Sequence, residues 1–207
     1  MGDGLLDLMH QGSSQDGGKI FGVAVGIVSD NKDPENLGRV RMKFPWLSDD
    51  HESGWARIGS AMAGSGRGAY FLPEVEDEVL VAFEHGDVRF PYVLGSMWNG
   101  QDKPPSNNSD GQNNIRMIQS RSGHVIRLDD TDGNEKIEII DKTGQNSLTF
   151  ESQNNNVTLT CKGKLKLSAM QGIEITSQMD VKVQAQTTLN LEASAEAVLK
   201  GAIVNIN

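Results

Sequence analysis

The 207-residue chain is poor in the residues that build most catalytic and metal sites. It has one cysteine, Cys161, and four histidines. A single thiol cannot close a disulfide within the chain, and no Cys/His cluster has the spacing of a zinc site. The sequence contains no recognisable catalytic triad, nucleophile elbow or phosphate-binding loop. We therefore expect no catalytic residues, no bound cofactor and no metal ligands.

Long apolar runs and an excess of positive charge are also lacking. No segment approaches the roughly 20 apolar residues that span a bilayer. The first 18 residues have neither a basic region nor an apolar run of signal-peptide length. The net charge of −9 disfavours phosphate backbones and anionic lipid as partners, because both bind clustered Lys and Arg. We expect synthesis in the cytoplasm without a signal peptide.

Aromatic residues are few and unevenly distributed. The chain has 11 of them, and all but Phe150 precede residue 100. This shift in composition predicts two structural regimes separated by a polar, Pro-containing linker. The predicted division is a leader (1–18), a β-barrel domain (19–100), a linker (101–114) and a repetitive C-terminal domain (115–207).

The region 19–100 alternates between apolar and polar residues over short stretches. Val40, Met42 and Phe44 lie on one face of a predicted strand, and Val79 and Val81 begin the buried face of another. Five or six strands of this length in about 80 residues favour a small all-β barrel of the OB type over a sandwich.

An eight-residue period governs the C-terminal region from residue 157 to 191. Each octad opens with two apolar residues at positions i and i+2, followed by a small residue at i+4. Residues at i and i+2 share one face of a strand, so an octad predicts one short strand and one corner. The predicted core residues are Val157, Leu159, Leu165, Leu167, Ile173, Ile175, Val181, Val183, Leu189 and Leu191. The pairs Ile126/Leu128, Ile137/Ile139 and Leu148/Phe150 precede them at a different spacing.

An isolated octad cannot be stable. Its two large side chains contribute about 2 kcal/mol each when buried, whereas ordering eight residues costs about 12 kcal/mol. The missing partners must be later turns of the same chain, as in a monomeric solenoid, or other copies of it. We favour the second arrangement, an intertwined triple-stranded β-helix in which three chains meet on a common axis and form a homotrimeric prism.

Ordered motifs in the first domain carry a family resemblance. Together with the octads after a polar linker, they make the chain similar to the spike family of contractile injection machines. That family includes phage baseplate spike proteins of the baseplate assembly V type and the VgrG proteins of type VI secretion systems. In chain order, the matching elements are Pro45-Trp46, Trp55 and Arg57, the stretch from Pro73 to Phe83, Gly86-Asp87 to Pro91, and Gly95 to Asn99.

The resemblance implies a structural, non-enzymatic role. An OB barrel followed by a trimeric β-helix would form a spike at the end of the inner tube of a tail-like particle, touching the target membrane only on firing. The barrel would seat on a hub protein, here expected to be a separate chain, and no lysozyme domain is expected. The C-terminal face would bind a PAAR-type tip protein through Val204, Asn205, Ile206 and Asn207.

Two other functions remain open from the residues alone. A monomeric β-solenoid would suit a ligand-binding protein or an acyltransferase. An OB barrel can also bind single-stranded nucleic acid through a basic groove and stacked aromatics. However, residues 19–103 contain 9 Lys/Arg and 13 Asp/Glu, so we expect no nucleic acid. The acidic run at 74–78 and the Glu84-His85-Gly86-Asp87 segment are expected to be turns and not metal sites.

The trimeric prism predicts the outcome of one substitution. Ile175→Asp places a carboxylate on the axis in all three copies of one layer, where burial without a partner is strongly unfavourable. We expect this variant not to assemble, as judged by native mass and thermal melting. A trimer with the wild-type melting temperature would rule out the prism.

Overall fold

The computed structural model describes residues 19–205, and for residues 48–51 only the backbone. The predicted leader and the last two residues lie outside this range. The described chain is all-β apart from one turn of 3-10 helix at Glu84–Gly86. Thirteen strands are found: β1 (Val23–Asp30), β2 (Arg41–Phe44), β3 (Ser48–Glu52), β4 (Arg57–Ile58), β5 (Ala63–Gly64), β6 (Arg67–Gly68), β7 (Glu78–Phe83), β8 (Pro91–Ser96), β9 (Ile115–Gln119), β10 (Val125–Asp129), β11 (Lys136–Ile140), β12 (Ser147–Glu151) and β13 (Asn156–Thr160).

The first domain is a closed barrel, as the strand pattern predicts. Six strands pair in the order β3-β2-β1-β7-β8-β4, with β4 parallel to β8 and the other neighbours antiparallel. A bridge between Val40 and Ala56 joins the β2 side of this sheet to the β4 side through two backbone hydrogen bonds of 2.8 and 3.1 Å. The sheet therefore closes on itself and leaves few unpaired edges.

The barrel has its own apolar core. The alternating residues predicted to face inward are buried, and the rings of Phe44 and Phe83 lie 5.5 Å apart at a tilt typical of packed aromatics. Gly26 completes the fit, because a Cβ at this position would lie 3.1 Å from the Met42 sulfur. The core consists of Val28, Val40, Met42, Phe44, Ala56, Val79, Val81, Phe83 and Val93.

The loop between β1 and β2 is organised around one buried carboxylate. Asp33 is 7% exposed and accepts backbone hydrogen bonds from Glu35, Leu37 and Arg39. The Arg39 guanidinium donates two further bonds, of 2.8 and 2.9 Å. These guanidinium bonds hold the pKa of Asp33 far below its ordinary range, although burial acts in the opposite direction.

The second sheet is a five-stranded antiparallel meander, β9 to β13 in sequential order. Its hairpin turns include residues with left-handed backbone, among them Gly133 (φ 71°), Gly144 (φ 70°) and Asn155 (φ 52°). Residues 115–160, expected to begin the β-helix, thus pair within one chain. The sequence explains the difference: loops of four to six residues separate these strands, which is enough to reverse the chain, whereas an octad has room only for a corner.

The octads that follow make no strands within the chain. In the described part of the sequence, residues 161–205 are all exposed and hold no strand. The chain exposes 17503 Å² of accessible surface, compared with about 9,500 Å² for a compact monomer of this mass. A single copy therefore leaves unburied much of the surface that a folded protein of this size normally hides.

The Asp33 loop predicts a pH-dependent stability difference. Because the pKa of Asp33 is depressed in the folded state, its contribution is complete above the unfolded-state pKa near 4 and is lost as the pH falls below it. We expect Asp33→Asn to lower the melting temperature of the barrel at neutral pH and to matter less in acid. Tryptophan fluorescence reports this domain selectively, since Trp46, Trp55 and Trp98 all lie in it.

Asp30→Asn provides the matched control. Asp30 accepts one exposed backbone hydrogen bond, from Lys32, so its substitution should have a smaller effect at every pH. A loss for Asp33→Asn that stays equally large in acid would contradict the assignment of an ionised, guanidinium-bound carboxylate.

Candidate assembly interface

One face of the meander carries two rows of apolar side chains. Cross-strand register aligns the first row through Ile126, which lies opposite Ile118 on β9 and Ile139 on β11. The second row is apolar except for Arg116 at its β9 end. The rows are Ile118-Ile126-Ile139-Leu148-Leu159 and Arg116-Leu128-Ile137-Phe150-Val157.

This apolar face is uncovered in a single copy. Ile126, Ile137 and Ile139 are each 46–48% exposed, and Val157 reaches 62%. Contiguous apolar patches of this kind are rare on monomers and mark interaction surfaces. Covering the face with another apolar surface would contribute about 25 cal/mol for each Å² removed from water.

The opposite face of the same sheet is mostly polar, although Ile115, Met117, Val125 and Ile140 also lie on it. Glu138, only 8% exposed, accepts hydrogen bonds from the Arg127 guanidinium and lies 3.6 Å from the Lys136 ammonium. Asp129 accepts a 2.6 Å bond from the Thr131 hydroxyl, which lowers the pKa of this carboxyl. The sheet therefore pairs these polar groups within one copy but leaves most of its two apolar rows exposed. A sheet that is stable alone would instead bury its apolar rows.

The octads extend the apolar face along the chain. Leu159 of β13 and Leu165 of the next octad line the same open groove as Ile126 and Ile139. The ten predicted core residues, Val157 to Leu191, are each 52–83% exposed. The apolar face of the meander and the apolar positions of the octads together form one candidate interface, which we call the axial surface.

Residues of the meander enlarge the predicted site. The apolar pairs at 126/128, 137/139 and 148/150 were not among the core residues predicted from the sequence. Their signal was an eleven-residue period, repeated twice, which is long enough for a five-residue strand and a hairpin loop. The predicted tip-binding residues Val204 and Asn205 are exposed, whereas Ile206 and Asn207 lie outside the described range.

The acidic segments of the barrel are turns, as expected. Asp77 accepts a 2.8 Å hydrogen bond from the Glu74 backbone and donates its own backbone N–H to the Glu74 carbonyl. Glu84 accepts from the Tyr92 hydroxyl at 2.7 Å. Arg89 binds Asp87 and lowers the pKa of that carboxyl to about 2. Among the side chains that the structure describes, no group of three or more His, Cys, Asp or Glu is placed to hold a metal ion.

Cationic side chains of the barrel are occupied by contacts within the domain. Arg39 binds Asp33, and Arg89 binds Asp87. Arg41 stacks on the Trp55 ring at 5.0 Å and Arg57 on the Tyr92 ring at 4.9 Å. These contacts take up guanidinium groups and rings that a nucleic-acid groove would use.

No helix within the described residues is long and apolar enough to cross a bilayer.

Comparison with known proteins identifies the barrel. Residues 24–98 match the type VI secretion system/phage-baseplate injector OB domain. The chain is 28% identical over 139 residues to the type VI secretion system spike protein VgrG1a of Pseudomonas aeruginosa, and 33% identical over 112 residues to VgrG4b of the same organism. It is 28% identical over 140 residues to VgrG3 of Vibrio cholerae.

These matches cover 61%, 50% and 66% of this chain, but only 21%, 14% and 12% of the respective relatives. The chain thus spans about a fifth or less of the length of these proteins. All three relatives are named as spike proteins. The resemblance stated from the sequence is confirmed: the barrel is an injector OB domain, and the chain is a relative of the VgrG spike proteins.

Two neighbouring residues on β13 test whether the axial surface is covered. Leu159 lies on the apolar face, whereas Thr158 lies on the opposite face, and both are exposed in one copy. If the sheet stays exposed in solution, both Leu159→Asp and Thr158→Asp are surface substitutions. Each should then change the free energy of unfolding by about 0.5 kcal/mol or less.

We expect Leu159→Asp to abolish association and Thr158→Asp to leave it intact, because only the first places a charge in a buried interface. Sedimentation at equal concentrations measures the difference. Equal behaviour of the two variants would show that the axial surface is not an interface.

Proposed function

We propose that this chain, with its injector OB domain and its relationship to the VgrG spike proteins, forms the central spike of a contractile injection machine. The observation that carries the proposal is the axial surface: a set of apolar side chains that one copy leaves 41–83% exposed, apart from the half-buried Leu148. Three copies placing these side chains on a common axis supply the cover that each lacks.

The proposed trimer is a mechanical element. In the octads, backbone N–H and C=O groups left unpaired within one chain bond to neighbouring chains, so no strand can detach alone. At a strand spacing of about 4.7–4.8 Å for each layer, the roughly six octads from Val157 to Asn205 build a rod on the order of 30 Å long. Such a rod concentrates the force of a contracting sheath on a small area of the target envelope and punctures it.

The proposed partners lie at the two ends of the rod. The barrel seats on a hub at the end of the inner tube. The C-terminal face, at residues 204–207, receives a PAAR-type tip protein and thereby covers the last open layer. In this arrangement the protein is made in the cytoplasm and acts as part of a tail-like particle.

The alternative functions fit the structure less well. A monomeric solenoid pairs the strands of successive coils, but residues 161–205 hold no strand within the chain. A nucleic-acid-binding barrel needs an accessible basic groove, whereas Arg39, Arg41, Arg57 and Arg89 are engaged internally. An acyltransferase or a ligand-binding solenoid therefore has no specific support.

Native mass spectrometry tests the proposal directly. A trimer of the 22.5 kDa chain has a mass of about 67 kDa, and we expect this species to persist on dilution because its chains are interlocked. A folded 22.5 kDa species at the same concentrations would overturn the spike and favour the solenoid. Retention on single-stranded DNA that falls with salt would favour the nucleic-acid binder.

A further inference from the structure

Three lysines mark the start of the octads. Lys162, Lys164 and Lys166 fall in a window, residues 152–173, that contains no Asp or Glu. None of the three has an ion-pair partner among the described residues, and all three are exposed. We call these three residues the basic band.

The sequence pattern directs the basic band away from the axis. Successive residues of a strand face opposite sides, so Lys164 and Lys166 face away from Leu165 and Leu167, which belong to the axial surface. The segment is held at its start by a 3.1 Å hydrogen bond from the Lys162 backbone to the Asn146 side chain of the preceding hairpin. The band is thus a feature of the outer surface.

Trimer formation multiplies the band. In the proposed spike, three copies place nine ammonium groups around one section of the rod, a step that rests on the proposed function. Glu174 has the octad position of Lys166 one layer further along and offsets part of this local field, whereas acidic residues more than about 8–10 Å away are screened at physiological salt. The net charge of −9 disfavours anionic lipid as a partner of the whole chain. It does not describe this section of the rod, where lysines predominate.

We propose that the basic band binds the anionic headgroups of the target membrane. Lysine is depleted in protein–protein interfaces, whereas each Lys near an anionic bilayer contributes about 1 kcal/mol of attraction. Met170, four residues after Lys166, has a fully exposed side chain. A cationic band beside a projecting apolar side chain suits the boundary between headgroups and acyl chains.

Vesicle flotation with the full chain tests the proposal. The probes are phosphatidylcholine vesicles with and without about one third phosphatidylglycerol, at low and at raised salt. We expect the wild-type protein to float with the anionic vesicles only, and raised salt to release it. The triple variant Lys162→Gln/Lys164→Gln/Lys166→Gln should lose about 100-fold or more in partitioning, since three attractive charges are removed from each chain and nine from the proposed trimer.

A matched triple variant separates the band from overall charge. Lys142→Gln/Lys182→Gln/Lys200→Gln removes the same charge from scattered exposed positions and should float nearly as well as the wild type. Equal loss in both triple variants, unchanged binding of the band variant, or no wild-type binding would each overturn the proposal. Native mass measured on the same samples keeps the two proposals distinguishable: a trimer that ignores vesicles removes the band's role but leaves the spike.

Discussion

A strand that places all its apolar side chains on one face depends on a second body to cover them. In the meander, neighbouring strands are hydrogen-bonded to each other and Arg127 pairs with Glu138. Apart from the outer edges of β9 and β13, the sheet therefore has few polar groups left to pair. What remains is apolar area, which attracts any matching surface without specifying direction. The strand geometry lines up the two apolar rows of the meander. The proposed assembly and the proposed mechanical role both depend on that alignment.

The two halves of the chain differ in how their apolar side chains are covered. The barrel closes through the Val40–Ala56 bridge and buries nine apolar residues of its own, so it has a core within one chain. The meander and the octads do not close. The exposed ion pair between Arg121 and Glu74, at 3.0 Å, joins the first hairpin of the meander to the barrel, but a surface pair contributes little to stability. The junction between the self-contained half and the dependent half is therefore weakly fixed by side chains.

Sequence periodicity predicted the barrel and its core because alternation in a closed sheet decides burial residue by residue: Val40, Met42 and Phe44 were predicted to share one face, and all three are buried. It also identified which residues of the octads share a face. It did not separate the meander from the octads, since Ile126/Leu128 and Leu165/Leu167 look alike as pairs. What differs is the length of chain between pairs, and whether that length reverses the strand is a property of the loop. The Asp33–Arg39 contact was equally invisible, because it depends on a loop bringing the two side chains together.

The change from an eleven-residue to an eight-residue spacing has a consequence for alignment. The octads resemble one another, so they define the register of neighbouring chains only weakly. In the proposed trimer, a chain shifted by eight residues would meet similar side chains again and would lose the contacts of only one layer. The meander offers no such equivalent position, since its spacing does not match that of the octads and its aromatic member, Phe150, occurs once. In the proposed trimer, copies aligned through the meander would therefore share one starting point, and the octads that follow would take a single register along their length.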